Sequence, residues 1–309
     1  GMDVSNASLY DGASAVAEAC MLSLSITNNS TILYSETLNK NYIDVINTCL
    51  SGQKINLIEI PQKNGSTDLT FIKKNMNDLS AVIIQSPNTF GLIEDWESAK
   101  RELESSQALL IAAGDPMSLS ALKSPADCGA DIYIGDGQTL GNPMNYGGPL
   151  LGIIAVKEEY KRRIPGRLIG KTIDLDGQEA FVLTLQTREQ HIRRERATSN
   201  ICTNQSLLAL RATIYMSLMG KYGLPYVAKL CYQKAHYAAE NINNLPNYRL
   251  KYGLQFLKEF VVETNHDIKD LTQYCAGKGY LIQDIHDSLS GCFQVAVTEK
   301  RNKGEIDNL

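Results

Sequence analysis

Six short apolar runs, set apart by longer segments of mixed character, constrain the first half of this chain more than any other feature. They are Thr31-Ile-Leu-Tyr34, Lys54-Ile-Asn-Leu-Ile-Glu-Ile60, Ala81-Val-Ile-Ile84, Ala108-Leu-Leu-Ile-Ala112, Asp131-Ile-Tyr-Ile134 and Leu150-Leu-Gly-Ile-Ile-Ala-Val156. Runs this short and this apolar read as strands buried on both faces. The segments between them predict helices over 14–27, 41–50, 69–77, 93–105 and, briefly, 118–123. Strand and helix in alternation give an α/β fold, a mostly parallel sheet covered on both sides. A chain of 309 residues can bury such a domain and a smaller companion beside it.

The pattern changes past residue 200. Thr203 is placed to cap a helix whose apolar positions Leu207, Leu210, Ile214, Tyr215 and Leu218 keep helical spacing, and Gly220 closes it. A second long helix follows over 225–243. Strand-like 248–252 and 260–263, a helix over 267–276 and strand-like 293–297 then make up a small α+β domain. The expected division is a large α/β domain over 1–220, a helical connection over 221–246 and the small domain over 247–309.

Composition narrows the partners. A formal net charge of −4 with 21 % charged residues speaks against a polybasic surface for nucleic acid or membrane. The small-residue run from Ala13 to Ile26 is broken by Glu18 and several serines, short of the ~20 apolar residues a membrane span requires. Seven cysteines, an odd number without a C-x-x-C pair, favour neither zinc nor a disulfide framework. With no signal peptide after Met2, a soluble protein of the reducing cytoplasm is expected.

Gln138 is the residue that bears most on chemistry. It stands at the tip of a strand, in Asp131-Ile-Tyr-Ile-Gly-Asp-Gly-Gln138, before a glycine-rich return into the next strand. In enzymes that hold pyridoxal phosphate such a tip carries the lysine of the Schiff base. A glutamine amide has no basic lone pair and forms none. Two further constellations lie near strand or helix ends. Tyr10-Asp-Gly-Ala-Ser14 precedes a small-residue helix, where backbone amides and the helix dipole favour an anion. Asp11, however, brings its own carboxylate and also reads as the helix cap. Asp115, just past an apolar strand, suits a ring nitrogen or a cationic substrate, or else starts an Asp-Pro turn.

The third constellation is Thr187-Arg-Glu-Gln190-His-Ile-Arg-Arg-Glu-Arg196. Thr187 and Gln190 have capping-box spacing, so a helix start is expected there. Only Ile192 offers an apolar anchor within it. The arginines read either as a solvated charged helix or as carboxylate and phosphate recognition across an interface.

The phrases Asn6-Ala-Ser-Leu-Tyr-Asp-Gly-Ala13, Gly135-Asp-Gly-Gln-Thr-Leu-Gly141, Asn145-Tyr-Gly-Gly-Pro149 and Leu185-Gln-Thr-Arg-Glu-Gln-His-Ile-Arg-Arg-Glu195, followed by Ala197-Thr-Ser-Asn-Ile-Cys-Thr-Asn204, carry a resemblance. They resemble the glycine cleavage system P-protein, and within it the α subunit of the two-subunit form. That subunit has further sequence before the Asn6-Ala-Ser motif, so the chain reads as a fragment of it.

The resemblance implies a fold-type I pyridoxal-phosphate architecture and a homologous β subunit that carries the lysine. It places Gln138 at the lysine position and Asp11-Gly12-Ala13 where the β chain has a phosphate-gripping Ser-Gly-Ala, with Asp115 facing the pyridine nitrogen. The expectation is therefore a degenerate site at Asp11, Gly12, Asp115 and Gln138, with no catalytic residue and no cofactor of its own. The loop 142–148 is expected to reach the partner's pyridoxal phosphate through Tyr146 and the amides of Gly147 and Gly148. Arg188, His191, Arg193 and Arg194 are expected to line the entrance for substrate and the lipoyl arm of H-protein. The implied reaction is decarboxylation of glycine and transfer of the aminomethyl group to lipoylated H-protein. A regulatory or structural partner with no direct contribution is the other reading that a lysine-less site allows.

Overall fold

The computed structural model describes every residue except Thr198, Cys202, Thr203, His286 and Asp287. A two-residue strand β1 (Val4–Ser5) leads into α1 (Gly12–Thr27), β2 (Thr31–Ser35), α2 (Lys40–Leu50) and β3 (Asn56–Ile60). A tight hairpin of β4 (Gln62–Lys63) and β5 (Ser66–Thr67) precedes α3 (Thr70–Lys74), β6 (Leu79–Gln85), α4 (Trp96–Glu102) and β7 (Leu109–Gly114). β8 (Ile132–Asp136) and β9 (Gly152–Val156) complete the sheet. Its seven strands lie in the order β1-β9-β8-β7-β6-β2-β3. The five from β8 to β3 run parallel, and β9 and β1 are antiparallel to their neighbours.

Each expected apolar run is a strand, and alternation within the strands feeds two cores. Ile83, Ile111, Ile132 and Ile134 pack with Ala15, Ala19 and Leu22 of α1 and Ile46 of α2. Val82, Ile84, Leu110 and Ala112 face the opposite layer, where Trp96 and Ala99 of α4 close over them. The Trp96 indole donates to the Ile84 carbonyl at 2.9 Å, which satisfies its one polar group inside the core. Three expected helices are shorter than their sequence spacing implied. α3 stops because Asn75 leaves helical geometry, α4 starts only where Asp95 accepts from the Ser98 amide, and 118–123 reduces to a 3₁₀ turn at Ser118–Ser120.

Beside the small β4–β5 turn, a longer hairpin escapes the sequence reading: β10 (Leu168–Ile173) pairs with β11 (Glu179–Thr184). Its signal was Asp176-Gly177. Gly177 takes φ 76, and the Asp174 carboxylate accepts from the Asp176 and Gln178 amides, both at 2.9 Å. After the short α5 (Gln190–Arg193) comes α6 (Ser206–Asn243), bent at Gly220 (φ 59, ψ −166) ahead of Pro225. The cap expected at Thr203 lies outside the described residues, and Gln205 at the N-cap makes no side-chain capping bond. Of the positions with helical spacing, Leu207, Leu210, Ile214 and Leu218 are exposed, while Tyr215 packs with Leu208, Ala209, Ala212 and Met219. Helical spacing marks a stripe but does not say which stripe is covered.

The small domain is an antiparallel sheet of β12 (Tyr248–Leu250), β13 (Glu259–Thr264), β14 (Gln283–Asp284) and β15 (Cys292–Ala296), in the order β12-β13-β15-β14. It is flanked by α7 (Ile268–Gly277) and α8 (Lys303–Asp307). Ala235, Ala238 and Ala239 of α6 pack on its Phe256, Phe260 and Phe293. Leu92 bridges to Phe256, and the Ile93 amide donates to the Gln255 carbonyl at 3.1 Å. Gly91 takes φ 83, and a Cβ there would lie 1.9 Å from the Glu259 carbonyl oxygen. Those contacts fix where residues 255–259 meet the large domain. Among the described residues no helix is long and apolar enough to cross a membrane.

Asp131 anchors the amino-terminal edge of the sheet. Its carboxylate accepts from the Leu110 amide at 2.8 Å, from Lys100 at 2.6 Å and from Lys157. Replacing Asp131 by Ala strands a buried amide and two ammonium groups. The expected loss is about 2 kcal/mol of unfolding free energy, measured as a lower urea midpoint at unchanged slope.

Candidate functional site

Loops at the carboxyl ends of parallel strands gather at one edge of a sheet. Here β7 delivers Asp115, β8 delivers Asp136, Gly137 and Gln138, and α1 opens with Asp11 and Gly12. Of these, Asp11, Gly12, Asp115, Asp136 and Gln138 line a cavity of about 700 Å³ with Tyr42, Thr139, Lys258 and Glu259. Asp11, Gly12, Asp115 and Gln138, scattered through the sequence, thus meet in one place.

The N-terminus of α1 is already satisfied by carboxylates of the chain itself. Asp11 is the N-cap and accepts from the Ser14 amide at 2.6 Å, so the cap reading holds. Asp136 accepts from the Gly12 amide at 3.1 Å and from the Gln138 amide at 2.9 Å. Gly12 is required by close packing: a Cβ there would lie 2.1 Å from the Tyr42 hydroxyl. Burial pushes the Asp136 carboxyl up, the three backbone bonds offset part of this, and Asp11 adds to the rise. The Tyr42 phenol is raised by burial first and by Asp136, Asp11 and Asp115 after it.

Gln138 is tied down. Its side-chain amide donates to the Asn142 carbonyl at 2.7 Å, and the Asn142 amide returns a bond to the Gln138 carbonyl at 3.1 Å. Asp115 is fully engaged as well. One oxygen accepts from Thr139 at 2.7 Å and from the Met117 amide at 3.1 Å, and the other pairs with Lys258 at 2.6 Å. Asp115 turns the chain at Asp-Pro, accepting from the Met117 amide, and it faces a cation of the chain itself. That cation is Lys258, from the small domain. Sequence reading missed it, since nothing around Lys258 forms a motif.

A pyridoxal phosphate needs an amine, an anion cradle and a carboxylate open to its ring nitrogen. Here the amine is an amide, the cradle holds Asp11, and Asp115 is paired. Four carboxylates, from Asp11, Asp115, Asp136 and Glu259, stand against the one ammonium of Lys258. The residues present do not fit that group.

The loop after Gln138 projects outward. Asn145, Tyr146, Gly147 and Gly148 all take positive φ, at 47, 55, 110 and 145°, and the Tyr146 side chain is fully exposed. For Asn145 and Tyr146 this left-handed geometry costs on the order of 1 kcal/mol each. Gly147 does not offer its amide, which donates to the Met144 carbonyl at 3.0 Å. The Gly148 amide has no partner among the described residues.

The arginine run forms a separate cavity of about 680 Å³, which shares no residue with the first. Arg188, Arg193 and Arg194 line it with Arg162 and Arg196, and Glu195 is the one acid among its lining residues. His191 lies apart, its imidazole 3.7 Å from Glu189 and directed to a smaller hollow beside Arg167. Arg188 is committed to the backbone: it donates to the carbonyls of Ile164 and, at 2.5 Å, Gly166, and its buried Nε has no partner among the described residues. Burial lowers its guanidinium, with Glu189 acting against this. The helix start expected at Thr187 is also corrected. Gln186–Arg188 is a 3₁₀ turn, and α5 has Glu189 at its N-cap with no side-chain bond.

Sheet order, a small antiparallel domain and a cavity at the carboxyl edge define the fold-type I pyridoxal-phosphate class, here with an altered site. A NifS-like protein, 14% identical over 99% of this chain with a TM-score of 0.71, shares the fold. The chain belongs to the glycine cleavage system P-protein family, whose sequence model matches residues 1–309. A probable glycine dehydrogenase (decarboxylating) subunit 1 of Prosthecochloris aestuarii is 48% identical over all of this chain and 70% of its own length. Its counterpart in Carboxydothermus hydrogenoformans is 45% identical with the same coverage. The crystal structure of glycine decarboxylase (P-protein) of the glycine cleavage system, in inhibitor-bound form, superposes with a TM-score of 0.95 at 34% identity, over 100% of this chain and 70% of that one.

Glu18, buried in α1, contacts the segment that follows the arginine run through a hydrogen bond with Ser199. Burial raises its carboxyl to about 7, and the Ser199 bond offsets only part of this. From the ordinary value of 4.5 up to about 7 the folded chain keeps a proton that the unfolded chain has lost, so stability falls as pH rises through that window. Glu18→Gln should remove this slope and stabilise the chain at pH 8 by up to about 3 kcal/mol, with no difference from the parent below pH 4. Urea unfolding across that pH range measures it.

Proposed function

We propose that this chain is the lysine-less α subunit of glycine dehydrogenase (decarboxylating). A homologous β subunit holds pyridoxal phosphate and decarboxylates glycine, and the aminomethyl group passes to the lipoyl arm of H-protein. The observation that carries this reading is Gln138 at the strand tip, with its amide bonded to Asn142. Family membership supplies the reaction class, and the subunit 1 name of the relatives supports a partner chain. The division into 1–220, 221–246 and 247–309 is kept as part of the proposal. So is a cytoplasmic location.

The chain's own contribution is positioning. Tyr146 and the Gly148 amide stand on an exposed loop, where a second chain can meet them. Gly147 acts by its φ of 110°, since its amide is spent within the turn. Arg193 and Arg194, with Arg162 and Arg196, give a cationic hollow suited to carboxylates. Arg188 shapes that hollow by holding residues 164 and 166, and His191 faces the smaller hollow beside Arg167. The exposed apolar stripe of α6 is consistent with a large partner surface.

The isolated chain, incubated with pyridoxal phosphate and reduced with borohydride, should show no covalent label in the peptides lining the Gln138 cavity. Labelling there, mapped by mass spectrometry, would remove the reading. In a complex reconstituted with a lysine-bearing β chain, Gly148→Asp should weaken cofactor affinity about tenfold or more by placing a carboxylate against phosphate. Gly148→Ala separates charge from backbone strain and should have a smaller effect, both read by cofactor titration.

A further inference from the structure

We propose that Lys258 is a built-in cation that occupies the ring-nitrogen position beside Asp115 and closes this cavity to pyridoxal phosphate independently of Gln138 and Asp11. The inference rests on the reading above, in which the chain carries no cofactor of its own. It adds a third and separate block, one supplied by the small domain.

The geometry carries it. A pyridine nitrogen in this class of cofactor is held by a carboxylate, and Asp115 is the carboxylate at the end of β7 that faces the cavity. Its Oδ2 is 2.6 Å from Lys258 Nζ, and the two side chains are only 14% and 16% exposed. Oδ1 is already shared by Thr139 and Met117. A protonated ring nitrogen would therefore meet a desolvated ammonium in place of an open acceptor, and like charges in a site of low polarity repel strongly.

Lys258 is also held in place. Phe256 and Leu257, just before it, are buried, and the Lys258 carbonyl accepts from the Val297 amide at 2.9 Å. The close approach of Gly91 to Glu259 leaves the strand no room to shift toward the large domain. Were the ammonium to swing out, Asp115 and the neighbouring Glu259 would be left in the cavity without a cation. Burial alone would pull the Lys258 ammonium down, but Asp115 and Glu259 together hold it raised, so it stays charged at neutral pH. Glu259 itself is raised by burial, with Lys258 acting against this.

The test restores the two known deficits first. Gln138→Lys with Asp11→Ser, carried in the full subunit, supplies an amine and opens the cradle. The same pair combined with Lys258→Met also removes the cation. Each protein is titrated with pyridoxal phosphate, followed by the visible absorption of the lysine Schiff base and by borohydride labelling at position 138. The expected result is that the triple variant binds at least about tenfold more tightly than the double variant. Lys258→Arg added to the double variant keeps a cation and should block as Lys258 does. Lys258→Gln, which retains a hydrogen bond to Asp115, replaces Lys258→Met if that variant fails to melt cooperatively. Equal binding by the double and triple variants, including no binding by either in folded protein, overturns the role of Lys258 and leaves the lysine-less reading intact. Labelling of the unaltered chain in the peptides lining this cavity would instead defeat that reading.

Discussion

The first turn of a helix leaves backbone amides without partners, and something must satisfy them. In an enzyme that grips a phosphate at such a turn the ligand does so. In this chain the amides of Gly12 and Ser14 are taken by Asp136 and Asp11. The choice has consequences across the site. Asp136 also holds the Gln138 amide, so the tip of β8 and the start of α1 are locked to one carboxylate. Tyr42 closes over Gly12. The cavity is lined by Asp11, Asp115, Asp136 and Glu259, so its walls are acidic.

Much of this could be read from residues alone, because it depends on local chemistry. Alternating apolar runs specify strands buried on both faces, and six of six such runs entered the main sheet. Asp11 before a small-residue helix is a cap by the ordinary preference for short acceptors there. Gln138 declares its loss by identity. What stayed hidden depends on long-range placement. Lys258 lies 143 positions from Asp115 in sequence, in a stretch with no spacing rule to flag it. Which face of α6 is covered could not be read from sequence for a related reason. The stripe of Leu207, Leu210, Ile214 and Leu218 is as regular as the one the large domain covers, and periodicity does not distinguish a core face from an outward one.

The arginine run shows a different limit. Its composition allowed a solvated helix or an interface, and the structure divides it between tasks. Arg188 braces the backbone at Ile164 and Gly166, while Arg193, Arg194 and Arg196 remain around an open hollow. One arginine is thus spent on building the wall that presents the others. The segment that follows meets α1 where Ser199 approaches Glu18, on the same helix whose N-terminus borders the Gln138 cavity.

On the proposed division of labour, retention of a cavity that no longer fits its cofactor has a physical reason. The loop bearing Tyr146 and Gly148 leaves the sheet directly after Gln138, and its base is held by bonds from Asn142 to Gln138 and Gly137. If that loop serves a neighbouring chain, its base must stay rigid even though the site beside it does no chemistry. A lysine at position 138 would trade an amide that bonds Asn142 for an ammonium among carboxylates. Glutamine supplies the neutral donor that the loop base needs. Lys258 performs the matching task on the other wall, neutralising Asp115 and fastening the small domain to the large one across the cavity. On this reading the cavity is a structural joint, filled by groups that bond to each other.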